Sequence, residues 1–413
     1  MSGGLLLRGD AAPPDLPHSP WRGFPMIAHK LLLASALALG LNLAVSPTIA
    51  AAAQTAPPNA NDIASLVQTH TGYPVKMSIY ATGLDDPRGL KFGPDGDLYV
   101  AEGGGGGTLS TTPMQCAQVP NVGPYTGSRT GGRISRIDHH GHRITVTDKF
   151  PSSQTNAQQG SLISGVADVA FIDDTLYAIT AGAGCSHGVA GTFNGVARIG
   201  HDGSIHWIAN LSEYQMHHPV QNPNAGDFEP DGTWYSMVAV RGNLYAVEPN
   251  HGEMVKITPY GEIRRIVDIS ALEGHIVPTA LAHHGQFFIG NLNTFPIVSG
   301  SSKVLQLTWN RQLWQVAGQL TTVVGIAFDK WGRMYVLENT TGQGNLFPTP
   351  GTGDVVRIES SGARKTIISG LVLPTAMTFG PDGALYVSNG GFGLPPGMGQ
   401  VLRFDLDGWR HAP

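Results

Sequence analysis

The chain has 413 residues, with 55 glycines, 29 prolines, two cysteines, a formal charge of −5 and 13% charged residues. That balance leaves no basic footprint for nucleic acid and no run of lysine or arginine to mark a membrane-surface patch, so neither partner is expected. A turn-rich composition of this kind suits an all-β repeat protein, for which the length demands no second domain.

The first 53 residues read differently from the rest. Lys30 precedes an apolar run at 31–45, followed by Ser46-Pro47 and four small residues, Ala50 to Ala53. Charged, then apolar, then small is the order of a cleavable secretory signal, and the run falls short of the roughly 20 residues of a membrane span. The proline-rich stretch before Met26 points to translation starting at Met26. Residues 1–53 are therefore expected as extension and signal, 54–73 as a linker and 74–413 as the folded domain. The location is secreted or periplasmic, with no stable membrane span after cleavage. In an oxidising compartment the pair Cys116 and Cys185 is expected as a disulfide between two loops.

The domain opens on Pro87-Arg88-Gly89-Leu90-Lys91-Phe92, Gly93-Pro94-Asp95-Gly96 and Asp97-Leu98-Tyr99-Val100-Ala101-Glu102. The same sentence returns at 374–389 around Gly380-Pro381-Asp382-Gly383. Alternating apolar residues on either side of a proline- and glycine-bearing turn predict a β-hairpin. The second strand of that hairpin recurs six times, at Tyr99, Tyr177, Tyr245, Phe288, Tyr335 and Tyr386. A third strand follows each copy, at 133–137, 196–199, 254–257, 304–307, 355–358 and 401–404, and a fourth follows five of them. The period suits a six-bladed β-propeller with four-stranded blades. The sixth blade lacks its outer strand, and residues 75–84 supply it, which closes the ring and leaves no open edge. Insertions at 103–131, 182–194 and 212–232 all fall on one face.

Aligning the ends of the second strands gives a polar ring on that face: Glu102, Thr180, Glu248, Asn291, Glu338 and Asn389. Carboxylates and amides converging there could hold a polyhydroxylated ligand, and Glu102, Glu248 and Glu338, on alternate blades, could recruit Ca²⁺. The same positions could equally be strand ends meeting solvent. His187, His217, His218 and His251 sit in or near the long loops, His251 closest to the ring. The recurring Arg136, Arg198, Lys256, Arg357 and Arg403 read as rim or ion-pair residues.

Two resemblances follow from these residues. Six-bladed calcium-dependent lactonases of the gluconolactonase and paraoxonase type resemble the chain in architecture, and their metal ligands come largely from the starts of innermost strands. Here those positions hold Arg88, Ala167, Ser236, Thr279, Val324 and Thr375, with only Asp168 one place on as a stand-in. From Thr82-Gly83-Leu84-Asp85-Asp86-Pro87-Arg88-Gly89 through Glu102, with the cysteine-bearing glycine-rich loop after it, the chain resembles the ScyD/ScyE family. That resemblance implies an exported propeller, named for genes associated with pigment biosynthesis, whose own reaction the family name does not supply. The sequence reading is thus a monomeric exported propeller that binds a small molecule or protein partner at the loop-rich end of its channel, accessory to a secreted or periplasmic pathway. The alternative is a metal-dependent lactonase or esterase-like hydrolase. Whether it is an enzyme stays open.

Overall fold

A computed structural model describes residues 60–70, 75–342 and 348–406. The expected signal, the start of the linker and the last seven residues lie outside them.

Six antiparallel sheets form the six blades of a β-propeller. Innermost strands run at Pro87–Phe92, Val166–Ile172, Ser236–Val240, Pro278–His284, Val323–Phe328 and Ala376–Phe379. Second strands run at Leu98–Glu102, Thr175–Thr180, Asn243–Glu248, Gln286–Asn291, Met334–Glu338 and Leu385–Asn389. Third strands include Glu253–Ile257 in blade 3, Gly353–Ile358 in blade 5 and Gly399–Asp405 in blade 6. The last of these pairs antiparallel with Lys76–Leu84, from Lys76 opposite Asp405 to Leu84 opposite Gly399, so the N-terminal strand closes the ring as expected. Residues 60–70, expected as linker, are partly ordered onto blade 5. Ala60–Ala64 is a short helix, Gln68–Thr69 adds a strand beside Ile368 and Ser369, and the His70 ring lies 2.6 Å from the Ser369 hydroxyl.

Strand alternation explains where the core lies. Leu90, Leu98 and Val100 of blade 1 are buried together with Tyr386 and Val401 of blade 6, so each interface between blades is an apolar layer. Each fully buried aliphatic side chain of this kind stabilises the fold by about 1.5–3 kcal/mol. The repeated turn needs its last glycine, because Gly96 and Gly383 adopt φ of +83° and +77°. Among the described residues no helix is long and apolar enough to cross a membrane.

The two faces of the ring differ. Short hairpin turns occupy one face, and their charges are unevenly shared. The turns of blades 6, 1 and 2 carry Asp382, Asp95, Asp97, Asp138, Asp173, Asp174 and Asp202 without a lysine or arginine. Those of blades 3, 4 and 5 carry Arg241, Arg311, Lys330 and Arg333 against Glu262, Asp329 and Glu359. Long loops occupy the other face, and over blades 1 and 2 the Cys116–Cys185 disulfide ties two of them, with Cα atoms 6.2 Å apart.

Candidate functional site

All six side chains of the polar ring are buried. A carboxylate or amide cannot be buried there without partners, and in each blade the backbone supplies them. Glu102 accepts from the Asp85 N–H (2.7 Å), Glu248 from Thr233 (2.7 Å), Glu338 from Thr321 and Asn389 from Val372 (2.7 Å). Asn291 donates instead to the Ile276 carbonyl at 2.9 Å. In every one of these five blades the partner lies in the segment leading into that blade's own innermost strand. Thr180 is the exception, accepting from Gly195 N at 3.0 Å within its ladder. The ring residues thus hold the chain where it turns inward to start each blade. Nor does the structure bring Glu102, Glu248 and Glu338 together. Among the described residues no group of three or more His, Cys, Asp or Glu side chains could hold a metal ion.

The innermost positions fasten one blade to the next. Asp168 accepts from Met237 N in the neighbouring blade at 2.8 Å and from Val169 N at 2.8 Å, with its pKa pushed up by burial. Thr375 and Thr279 donate to carbonyls of the following blades, those of Pro87 and Val323. At the mouth of the channel the Arg88 guanidinium lies over the Phe392 ring and donates to the Ile163 carbonyl. Beside it Asp86 is buried with no donor on either carboxylate oxygen. Burial pushes its pKa up to about 7 against the pull of Arg88.

The histidines of the long loops form a second locked region. His187 Nε2 lies 3.0 Å from Glu229, the Tyr125 hydroxyl donates to the same carboxylate at 3.2 Å, and His251 Nε2 lies 2.8 Å from the Glu229 carbonyl. Burial drives the His187 ring toward neutrality, but Glu229 and Asp231 outweigh it and leave its pKa above the usual histidine value. His187 and His251 are buried, so they bind loops to one another, whereas His217 and His218 are exposed.

One ring residue has a different environment. Glu338 faces Asp354, its direct partner on the third strand of blade 5. Neither an N–H nor a hydroxyl donates to Asp354 Oδ1, and the Thr366 hydroxyl donates to Oδ2 at 3.5 Å. Burial, then the charge of Asp354, pushes Glu338 up to about 9; burial also lifts Asp354 to about 6. At neutral pH the pair therefore holds one proton, with Glu338 as the donor and Asp354 as the acceptor. Both line a cleft of about 570 Å³ between blades 4 and 5 on the loop-rich face, together with Gln319, Thr321, Arg364 and Thr366. Arg364 itself donates to the Gln319 carbonyl. Glu338 was legible in the sequence as a ring member, and Asp354 was not. The signal that finds Asp354 is the cross-strand partner of each ring position, a carboxylate only in blades 3 and 5.

A larger groove, about 910 Å³, opens on the hairpin face between blades 1 and 2. Its Arg136 is spent on Asp97, 2.6 Å away, and on Asp95, and Asp174, Arg198 and His201 line the same groove.

No protein-family model matches this chain, and no curated protein matches it in sequence. In structure it is similar to an oxidoreductase assigned as a glucose dehydrogenase from Thermus thermophilus, with a TM-score of 0.51 and 18% identity over 80% of this chain and 100% of that one. A structural-genomics protein of unknown function from Bacteroides thetaiotaomicron gives 0.50 and 11%, over 80% and 76%. A protein assigned to the gluconolactonases gives 0.46 and 10%, over 81% and 93%. At 18% and 11% identity the likeness of the first two is one of fold alone, and the fold of this chain is the six-bladed propeller.

Proposed function

We propose that the protein is an exported propeller of ScyD/ScyE type that binds a small polyhydroxylated ligand in the cleft between blades 4 and 5. The observation that carries this reading is the Glu338–Asp354 pair, two buried carboxyls that share one proton and open on a cavity of about 570 Å³. Ligand hydroxyls both donate and accept, so they match such a pair, and the Gln319 amide, the Thr321 and Thr366 hydroxyls and the Arg364 guanidinium line the same wall. The Gly-Leu-Asp-x-Pro-Arg-Gly opening and the disulfide-bearing loop support the family placement and the exported location.

Calorimetric titration with a panel of neutral sugars and polyols tests the reading, with Asp354→Asn and Glu338→Ala as controls. Binding that both variants abolish is the expected result. No polyol bound at millimolar concentration, or equal binding by the variants, would overturn it. Lactones and Ca²⁺ belong in the same panel, because turnover of a lactone only when Ca²⁺ is present would favour the hydrolase instead.

A further inference from the structure

We propose that the hairpin face of blades 4 and 5 docks on an anionic phospholipid surface. Trp309, in a turn of blade 4, is 79% exposed, Trp314 beside it on the outer strand 61%, and Trp331, in a turn of blade 5, 54%. The turns of Trp309 and Trp331 are neighbours. With the Gln286 amide oriented to accept, Trp309 Nε1 donates to it at 2.8 Å. Two residues away across the same tight turn, His284 lies so close to Gly332 that a Cβ there would sit 3.1 Å from Nε2. His284 in turn stacks on Phe328, ring centroids 4.7 Å apart, which fixes the turn between the two indoles.

Charge selects the occupant. Lys330 and Arg333 each lie 4.6 Å from the Trp331 ring, and Arg311 shares the turn of Trp309. Arg333 is paired with Asp329, which leaves Lys330 and Arg311 as the cations available to a partner. Indoles interleaved with lysine and arginine suit the bilayer interface, where the ring sits at headgroup level and the cations meet lipid phosphates. The opposite arc of the same face is lined by aspartates, so an anionic surface would repel it and turn blades 4 and 5 toward the lipid. The sequence shows no basic run because the cations come from separate turns. The three rings also project from turn tips and a strand edge instead of lining a groove, which suits a planar surface better than a folded partner.

Co-sedimentation of the full chain with phosphatidylcholine vesicles, with and without phosphatidylglycerol, tests this. The expected result is binding only when phosphatidylglycerol is present. Binding should weaken roughly 5-fold per reversed cation in Arg311→Glu and Lys330→Glu and be lost in the triple Trp309→Ala, Trp314→Ala, Trp331→Ala chain, with thermal midpoints unchanged. No binding by the wild type, equal binding to phosphatidylcholine alone, or variants that bind as the wild type does would each overturn it. The last of these would place the lipid contact elsewhere on the chain.

Discussion

Blades 3 and 5 carry the same buried acidic pair in the same register and resolve it in opposite ways. In blade 3 Glu248 stands opposite Glu253, as Glu338 stands opposite Asp354 in blade 5. The next step outward differs. Arg265, opposite Val255 on the fourth strand of blade 3, reaches back to Glu253 with Nε 2.6 Å from the carboxylate. The equivalent residue of blade 5, opposite Val356, is Thr366. Glu253 also accepts from Gln215 at 3.0 Å, and Glu248 takes a second backbone N–H from His251. One arginine thus separates a pair that has a counter-ion on Glu253, although burial still pushes the Glu248 pKa up, from a pair that must keep a proton and opens on a cavity. Repeat position sets burial; the cross-strand neighbour sets the chemistry.

The sharpest break of this comparison is Arg265→Thr, which gives blade 3 the residue of blade 5. Glu253 would be left buried beside Glu248 without its counter-ion, and the loss of one partner of such a pair costs about 3–5 kcal/mol. Urea denaturation measures it, and a loss under about 1 kcal/mol would mean the guanidinium is not what separates the blades. A second test contrasts the locked loops with the cleft. Cys116→Ser with Cys185→Ser frees a loop of 69 residues' separation and should lower stability by up to about 4 kcal/mol. It should leave the pH behaviour of blade 5 untouched, because the bond ties blades 1 and 2.

The third prediction concerns that pH behaviour. Glu338 and Asp354 have folded pKa values raised above 4.5 and 3.8, so the folded chain keeps protons that the unfolded chain releases. The stability this contributes is complete below about pH 4 and is lost as pH rises, through about 6 for Asp354 and about 9 for Glu338. Glu338→Gln keeps a donor toward Asp354 and an acceptor for the Thr321 N–H but cannot ionise. The variant should therefore show a flatter profile above pH 6 and exceed the wild type at pH 9 by about 1–2 kcal/mol. Thermal unfolding across that range decides it, and parallel profiles would show that the pair does not share a proton.

Most of the architecture was legible because a propeller repeats its pattern. The alternation around Leu98 and Val100, the Gly-Pro-Asp-Gly turns and the missing outer strand of blade 6 each carry a period that a single chain displays. The candidate site was legible only by half. The ring compares one position per blade along the sequence, and burial gave all six of its members backbone partners or ladder bonds. What distinguishes Glu338 is a residue 16 positions later and another 28 later, joined to it only by strand register. The order at residues 60–70 was also hidden, since Gln68 and Thr69 owe their strand to blade 5 and not to a periodic pattern of their own.

The smallest change tests the comparison most directly. Thr366→Arg places in blade 5 the group that blade 3 already uses, at a half-buried position on a cleft wall with room for a longer side chain. By the geometry of Arg265, the new guanidinium should reach Asp354 and favour its ionised form, and with the two carboxyls no longer competing for one proton both pKa values should fall. The flattened pH profile of Glu338→Gln should then appear without removing either acid. Net stability should move by no more than about 1 kcal/mol, because the gained pair is offset by ordering a long side chain. Polyol binding should disappear, since the arginine fills the cleft and occupies the Asp354 carboxylate. Retained binding together with a flattened profile would separate the two roles given to this pair, leaving the proton shared but the ligand held elsewhere.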